Sequence, residues 1–405
     1  MPGKLSSRFQ NVMLLSLSIV LSLLLAEVAA RLFSSAPPGI VEVTSDESAE
    51  TRLRVENQQR LDLRGHGTSS RPLFVTTRTG RRLRANAHVR IKHFLNRREI
   101  DFRTNSLGYR NREIGPKSDF RVLFLGDSIT GADYLEDEES FVRQVERLSW
   151  STEFPLETIN AGVGGISLMN ELAILEETGL STEPDAVVLG FYLNDFNESY
   201  GFSVGRLPGW LDRSYLVWLL VRGLKILEVE FESRGVWNEG SLLPLRQEIH
   251  DRFQPEPGDP LTNRRAFYQE VSDSVGDWGS GWSEQLWYAM RPLFQRSRRL
   301  ADEHDFEPLI LVFPVALQAR AEFLEDYPQQ RIKQVARDLD IPILDVLPIV
   351  RRASDKDALF YDQCHYTPLG NRVIADEILQ FIQRNANVRR RGVSAKLREV
   401  TDSPR

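Results

Sequence analysis

Short β-rich runs alternate with helical stretches from residue 120 onward, and this alternation constrains the fold more than any other feature of the chain. The β-rich runs cover residues 121–125, 156–160, 186–192, 309–313 and 341–346, and the helical stretches cover residues 141–148, 168–178, 330–338 and 371–383. Strands that alternate with helices form βαβ units, whose parallel strands are covered by helices on both faces. The sequence therefore predicts an α/β fold with a mostly parallel sheet.

This alternation is absent from three parts of the chain. Residues 34–119 are interpreted as a linker and an N-terminal extension, with short strands over 73–77 and 88–91 and a solvated arginine-rich loop over 81–84. Residues from about 197 to 300 form an insertion, with an amphipathic helix over 215–229 and a loop-like stretch over 258–281. Insertions of this kind often form substrate-binding caps. The basic, polar tail over residues 386–405 is predicted to be disordered.

The N-terminus has the pattern of a membrane-targeting segment. Lys4 and Arg8 precede an apolar run over residues 12–26. Such a start is typical of a secretory signal peptide or an uncleaved signal anchor. We interpret residues 1–33 as an anchor that makes the protein a single-pass protein of the cell membrane. The basic end then lies in the cytoplasm and the catalytic domain on the extracytoplasmic, periplasmic side. The small residues over 26–30 leave cleavage open, and a cleaved protein would be secreted.

Composition narrows the classes of partner. The 405 residues carry a formal net charge of −6, which gives no reason to expect a nucleic acid. A single cysteine excludes an internal disulfide and a zinc site built mainly from cysteines. A hydrophobic content of 41% is sufficient for the core of one large α/β domain with insertions.

Two short motifs, far apart in the chain, point to acyl chemistry. Ser128 lies in the sequence Gly-Asp-Ser-Ile-Thr-Gly directly after a predicted strand, where ligands bind in doubly wound sheets. Asp362 and His365 lie three residues apart, so the carboxylate can hold the imidazole with Nε2 free to accept a proton from Ser128. Taken singly, Ser128 could be a helix N-cap and His365 a surface or core histidine.

Groups that could stabilise an oxyanion also follow predicted strands. Residues 160–165 form a glycine-rich turn that exposes backbone N–H groups, and Asn194 follows the strand over 186–192. Acyl transfer requires hydrogen-bond donors aimed at the developing oxyanion. A glycine bend and an Asn-Asp turn are common in isolation, but here each stands at the end of a predicted strand.

Taken in chain order, four sequence blocks resemble those that define the SGNH (GDSL) hydrolase family: residues 126–128, 160–165, 193–195 and 362–365. The resemblance spans residues from about 105 to 383, without the insertion. The resemblance implies a flavodoxin-like three-layer α/β/α sandwich over residues 120–385 and a catalytic triad of Ser128, His365 and Asp362. It also implies an oxyanion hole formed by Ser128, Gly165 and Asn194, with no metal and no cofactor. The stretch over residues 105–110, together with the anchor, resembles membrane-anchored members associated with bacterial envelope or exopolysaccharide modification.

The function that follows from this resemblance is a serine esterase that acts on O-acyl esters of carbohydrate, with acetyl as the expected acyl group. Three alternatives stay open. The chain could be an O-acyltransferase that moves an acetyl group to a polysaccharide hydroxyl, or a catalytically silent scaffold that binds glycan. A nucleotide-binding enzyme is a weaker alternative, since Ser167 stands where the dinucleotide fingerprint requires glycine or alanine and no well-placed acidic residue for a ribose follows a second strand.

Overall fold

The computed structural model describes residues 7–33, 40–41, 61–62, 73–77, 79–93, 95–96, 98–196, 214–217 and 239–401. The helices of this part of the chain are α1 (Ser7–Phe33), α2 (Ser128–Gly131), α3 (Phe141–Ser149), α4 (Leu168–Ile174), α5 (Glu239–Phe253), α6 (Arg264–Asp273), α7 (Glu284–His304), α8 (Ala316–Arg320), α9 (Tyr327–Asp338), α10 (Leu347–Arg351) and α11 (Pro368–Thr401). The strands are β1 (Ile40–Val41), β2 (Leu61–Asp62), β3 (Phe74–Thr77), β4 (Gly80–Leu83), β5 (His88–Lys92), β6 (Glu99–Arg103), β7 (Phe120–Gly126), β8 (Leu156–Asn160), β9 (Ala186–Phe191), β10 (Glu307–Val312) and β11 (Ile343–Asp345).

The central sheet consists of β8, β7, β9, β10 and β11, and every pairing between its neighbouring strands is parallel. Numbered by their order along the chain, these strands lie in the order 2-1-3-4-5, which is that of a flavodoxin-like doubly wound sheet. The predicted α/β class is therefore confirmed. Each of the five strands begins and ends within two residues of its predicted bounds. Because the strands are parallel, their carboxyl ends meet at one edge of the sheet.

The sequence explains why these runs form central strands. Every residue of β7 (sequence FRVLFLG) and of β9 (sequence AVVLGF) is buried. A strand that is covered on both faces needs an almost continuous apolar run rather than an alternating one. The helix α3 begins at its N-cap, Ser140, whose side chain accepts a hydrogen bond from the Arg143 backbone N–H. It packs beside β8 and α11.

The N-terminal extension contains two small antiparallel sheets, β1-β3-β4 and β2-β5-β6. The stretch over residues 81–84, expected to be a solvated loop, falls largely in β4 of the β3–β4 hairpin. Its side chains are partly buried because they contact the main domain. Arg82 pairs with Glu177 at 2.9 Å, and Arg81 donates a hydrogen bond to the backbone carbonyl of Gly164. The loop prediction was therefore wrong, since a run of arginines in the sequence does not show which of them form ion pairs or hydrogen bonds in the fold.

Much of the insertion is helical where it is described. The predicted loop over residues 258–281 was wrong over residues 264–273, which form α6, and over residues 279–281, which lie in a 3₁₀ turn (Gly279–Trp282). Helix α6 is capped by Asn263, whose side chain accepts from the Arg265 N–H, and it buries Phe267 against Trp282. The predicted helix over 215–229 lies mostly outside the described residues, and its residues 215–217 are helical.

Among the described residues, one helix is long and apolar enough to cross a membrane. It is α1, over Met13–Leu32, and signal sequences near an N-terminus have the same length and composition. Its Glu27 carboxylate accepts hydrogen bonds from Ser214 Oγ and from the backbone N–H groups of Tyr215 and Leu216, at 2.7–3.0 Å. This end of the helix therefore contacts the insertion.

The last helix, α11, extends further than expected. It continues to Thr401, whereas the sequence predicts a disordered tail over residues 386–405. Gly392 is the only glycine in that stretch and its first proline is Pro404, so few residues there oppose a helix.

Candidate active site

Ser128 lies at the carboxyl edge of the central sheet, where β7 ends and the short helix α2 begins. Gly126 closes the strand at φ +157°, and a Cβ there would lie 2.2 Å from Thr130 Oγ1, so only glycine fits. Asp127 caps the turn, and its Oδ1 accepts a hydrogen bond from the Ile129 N–H at 2.9 Å. Ser128 is consequently half-buried on a tight strand-to-helix turn, with its hydroxyl directed out of the sheet edge.

Asp362 and His365 lie on a closed loop that is attached to the same edge of the sheet. The loop is closed by an antiparallel bridge between Phe360 and Tyr366 and by a hydrogen bond from the Tyr361 N–H to the His365 carbonyl. The Ala316 N–H, which follows β10, donates to the Gln363 carbonyl at 2.8 Å. The loop is therefore attached to the sheet rather than free to move as a separate segment.

The structure brings the three predicted side chains into one hydrogen-bonded chain. His365 Nε2 lies 2.9 Å from Ser128 Oγ, and His365 Nδ1 lies 2.7 Å from Asp362 Oδ2. The other carboxylate oxygen of Asp362 accepts from the backbone N–H groups of Cys364 and His365 at 2.9 and 2.8 Å. Asp362 thus holds both the ring and the backbone of His365, which fixes Nε2 as the acceptor for the serine hydroxyl.

Charges around the ring set its protonation. Burial of the imidazole opposes its charged form, but the hydrogen bond and charge of Asp362, with smaller effects of Asp127 and Asp133, leave the pKa of His365 above its usual value. Burial of Asp362 also opposes ionisation, yet the hydrogen bond and charge of His365 hold the pKa of that carboxyl below its usual value. The pair therefore favours an ionised aspartate beside a basic histidine.

The loop over residues 160–165 lies directly against Ser128. A Cβ built on Gly164 would lie 3.7 Å from Ser128 Cβ, and one on Gly162 would lie 2.3 Å from the Gly131 nitrogen, so glycine is required at that close approach. Asn160 ties the two loops together, since its side chain donates to the Thr130 carbonyl and accepts from the Gly162 N–H. Gly165 follows with φ +72°.

Asn194 lies at the end of β9, on the same edge of the sheet. Its side chain hydrogen-bonds to Asp127. Burial raises the pKa of Asp127, and the Ile129 backbone N–H, the charge of His365 and this hydrogen bond from Asn194 oppose the rise. Asp195, the next residue, is buried and accepts from the Tyr192 N–H at 2.8 Å, which fixes the turn. The structure thus places Gly165 and Asn194 in loops that adjoin Ser128, and their oxyanion role remains a prediction.

Sequence reasoning missed a second polar group of residues beside Ser128. Asp133 follows α2, and His93 enters from the N-terminal extension, with His93 Nε2 lying 3.9 Å from Asp133 Oδ1. The ring of Tyr134 packs against both histidines, with centroid distances of 5.8 Å to His93 and 4.9 Å to His365. No spacing in the sequence links these residues; the only signal was that Asp133 stands five residues after Ser128.

The arrangement argues against a metal at the same place. Asp362, Cys364 and His365 present possible ligand atoms within 4.8 Å of one another. Zinc binds cysteine as the thiolate, however, and burial followed by the charge of Asp362 raises the pKa of the Cys364 thiol well above its usual value. His365 Nδ1 and the Asp362 carboxylate are moreover occupied by each other.

No protein-family model matches the chain, and no curated protein is significantly similar to it. Several solved structures are similar at a TM-score of 0.36. An acetyl xylan esterase is 16% identical, with 64% of this chain and 98% of that chain covered. A two-domain esterase active on acetylated mannans is 15% identical, with 66% and 50% covered.

A lipase/acylhydrolase from Enterococcus faecalis is 15% identical, with 65% of this chain and 96% of that chain covered, again at a TM-score of 0.36. Likenesses this remote do not establish function. It has to be inferred from the residues around Ser128 themselves.

Proposed function

We propose that the protein is a serine esterase that cleaves O-acyl esters, with Ser128 as nucleophile, His365 as general base and Asp362 as the group that orients the base. One observation carries the proposal. It is the unbroken chain from Ser128 Oγ through His365 to Asp362, with contacts of 2.9 and 2.7 Å. Such a relay lets the imidazole take the serine proton as the hydroxyl attacks.

The reaction proceeds in two halves that share an acyl-enzyme. Ser128 Oγ bonds to the ester carbonyl carbon while its proton passes to His365 Nε2. The tetrahedral oxyanion collapses, the bond to the alcohol oxygen breaks, and His365 returns the proton to that oxygen. Water then attacks the acyl carbon while its proton passes to the same nitrogen. The bond between that carbon and Ser128 Oγ breaks, His365 returns the proton to Oγ, and the acid leaves. A sugar hydroxyl that replaces this water would make the protein an O-acyltransferase.

The oxyanion needs donors, and three are proposed. The Ser128 N–H opens α2, where the leading N–H groups of a helix have no acceptor within the helix. The Gly165 N–H and the Asn194 side-chain amide come from the adjoining loops. Each such donor typically contributes about 2.7–4 kcal/mol to lowering the barrier.

Acetylated carbohydrate outside the cytoplasm is the substrate class we propose. The apolar helix α1 is long enough to anchor the chain in a membrane. The four blocks around the site resemble those of hydrolases that act on such esters. The half-buried Asp133 carboxylate near Ser128 makes this side of the site polar, which suits a hydroxylated substrate better than a lipid chain.

Replacement of the nucleophile tests the proposal. Ser128→Ala should abolish hydrolysis of p-nitrophenyl acetate and labelling by a fluorophosphonate probe, since the probe reacts only with an activated serine. Ser151→Ala, which alters an exposed serine in a turn, is the control and should keep both. If the Ser128→Ala protein were labelled as fast as the wild type, the proposal would be wrong.

A further inference from the structure

Asp133 and His93 form a second pair of polar side chains beside Ser128, and the reaction described above uses neither. Asp133 Oδ1 lies 3.9 Å from His93 Nε2. The aspartate follows the helix that carries the nucleophile, whereas the histidine follows β5 of the N-terminal extension. Two parts of the chain therefore meet next to the reacting atoms.

The Asp133 carboxylate lies next to the loop of Gly164 that also borders Ser128, and it remains partly open to solvent. A Cβ on Gly164 would lie 3.9 Å from Asp133 Oδ2 and 3.7 Å from Ser128 Cβ, so both residues border the same point. Its side chain is 22% exposed. Within the described part of the chain no hydrogen-bond donor reaches this carboxylate, so both of its oxygens can accept from a ligand.

His93 is prepared to act as a donor. Its Nδ1 accepts a hydrogen bond from the Leu95 N–H at 3.3 Å, so in the neutral ring the proton must be on Nε2. Burial, and then the charge of His365, lowers the pKa of His93, although Asp133 and Asp362 oppose this. A neutral ring therefore presents an Nε2–H group beside the carboxylate of Asp133.

The backbone around Asp133 is held in an unusual conformation. Ala132 has φ +47°, in the left-handed region that non-glycine residues adopt at a cost of about 1–2 kcal/mol. Arg110 is fully buried and donates to the carbonyls of Gly131, Ala132 and Leu135. Strain that neighbouring contacts hold in place is typical of functional sites.

We propose that Asp133 and His93 bind a free hydroxyl group of the substrate next to the ester that Ser128 attacks. A hydroxyl donates one hydrogen bond and accepts others, and the pair offers one acceptor and one donor 3.9 Å apart. The substrate class is thus a partly acylated polyol, such as a monoacetylated sugar with a free neighbouring hydroxyl. This inference rests on the proposed esterase function and adds its specificity.

The test compares an acetylated glycoside that keeps its neighbouring hydroxyl with the matched deoxy glycoside that lacks it. In the wild type the hydroxylated substrate should have a kcat/KM at least tenfold higher. In Asp133→Asn and in His93→Phe the ratio of the two kcat/KM values should fall toward one. The asparagine replaces a charged acceptor of two oxygens by an amide, and the phenylalanine removes the N–H donor.

Glu138→Gln, which neutralises an exposed acid on the same segment, is the matched control and should keep the wild-type preference. An equal loss of kcat/KM for both glycosides in both variants would overturn the inference, because a purely structural role, or an effect through the charge on His365, would slow both substrates alike. Equal kcat/KM values of the wild-type enzyme for the two glycosides would also overturn the inference. If one variant fails to fold, judged by circular dichroism, the other decides.

Fluorophosphonate labelling of wild-type Ser128 separates this inference from the proposed function. Labelling without a hydroxyl preference would contradict the subsite alone. An absence of labelling at Ser128 would contradict the esterase on which the subsite depends.

Discussion

The groups around His365 have opposite effects on its pKa, and their balance determines the pH at which the imidazole is unprotonated. Asp362 accepts the Nδ1 proton, the edge of Tyr134 packs against the ring, and burial disfavours its charged form. The net result is a pKa above the usual value for histidine. The base is therefore unprotonated only at a pH higher than that required by a histidine in water.

This predicts the pH dependence of the reaction. The kcat/KM for p-nitrophenyl acetate should rise with pH, with a midpoint above the unperturbed histidine value of about 6.5. In Asp362→Asn the midpoint should move to lower pH, because the negative charge that stabilises the imidazolium is lost. The rate above the midpoint should fall by about 10⁴, because the ring loses its orientation. A midpoint that stays in place would show that Asp362 does not act on His365.

The role of Asn194 as an oxyanion donor can be tested in the same assay. Asn194→Ala should lower kcat by about 10²–10³, since one oxyanion donor contributes about 2.7–4 kcal/mol, and KM should change little. Asn385→Ala, on α11 and away from the site, is the control. A higher KM with an unchanged kcat would contradict this, because it would indicate that Asn194 binds the substrate in its ground state rather than the oxyanion.

Single residues were predictable from the sequence only where a local motif carried them. Ser128 follows a strand, and Asp362 stands one turn before His365, so short spacings indicated all three. His93 and Asp133 are forty residues apart, on parts of the chain that only the tertiary fold brings together. With a single sequence, no periodicity distinguishes His93 from the other histidines.

At the scale of elements, the buried Arg110 explains the stretch over residues 105–110 that precedes β7. Asn105 Oδ1 accepts from the Leu107 and Tyr109 N–H groups, and Gly108 turns at φ +77° where a Cβ would lie 2.5 Å from the Leu83 carbonyl oxygen. This compact turn directs Arg110 onto the carbonyls that follow α2. The stretch is therefore a structural support for the loop that carries Asp133.

Removal of this support should destabilise the whole domain. Arg110→Met leaves three buried carbonyls without their donor, which we expect to lower the free energy of unfolding by about 3 kcal/mol. Urea denaturation followed by circular dichroism measures it. Arg112→Met, at an exposed arginine two residues away, should change stability little. Equal effects of the two changes would argue against a special role for Arg110.

Elements were predictable where one signal dominated. The central strands are continuous apolar runs bounded by helices, so their type and position followed from the sequence. The helices of the insertion did not, because residues 258–281 have no regular apolar pattern, whereas aromatic packing among Phe267, Trp278 and Trp282 stabilises helical turns there. Tertiary contacts, not local propensity, decide that region.

At the scale of the molecule, α1 and the domain are linked through Glu27. The outward-facing leucines of α1 are exposed to more than half of their maximum, as expected of a helix that lies in lipid. The Glu27 carboxylate, near the end of the helix, accepts three hydrogen bonds from residues 214–216. An α1 that is not cleaved off would thus also hold residues 214–216 of the insertion.

Membrane attachment should depend on the middle of α1. Leu23→Arg places a charge near the centre of the apolar span, at a cost of about 2.5–3.5 kcal/mol for insertion, and should reduce the share of protein that remains in membranes after carbonate extraction. Leu32→Arg, at the end of the span, should remain in the membrane fraction because its side chain can reach the interface. Loss of both variants from the membrane, or of neither, would contradict an anchor.

The separation of Ser128 from His365 along the chain has a consequence for biosynthesis. The two residues are 237 positions apart, and the loop that carries His365 is followed directly by α11, whose Asn371 side chain accepts from the Phe141 N–H. Because a chain is synthesised from its N-terminus, the serine emerges long before its base. A nascent or truncated polypeptide that lacks His365 therefore has a Ser128 hydroxyl without its hydrogen-bonded imidazole, and the proposed ester cleavage would require the segment that precedes α11 to be in place.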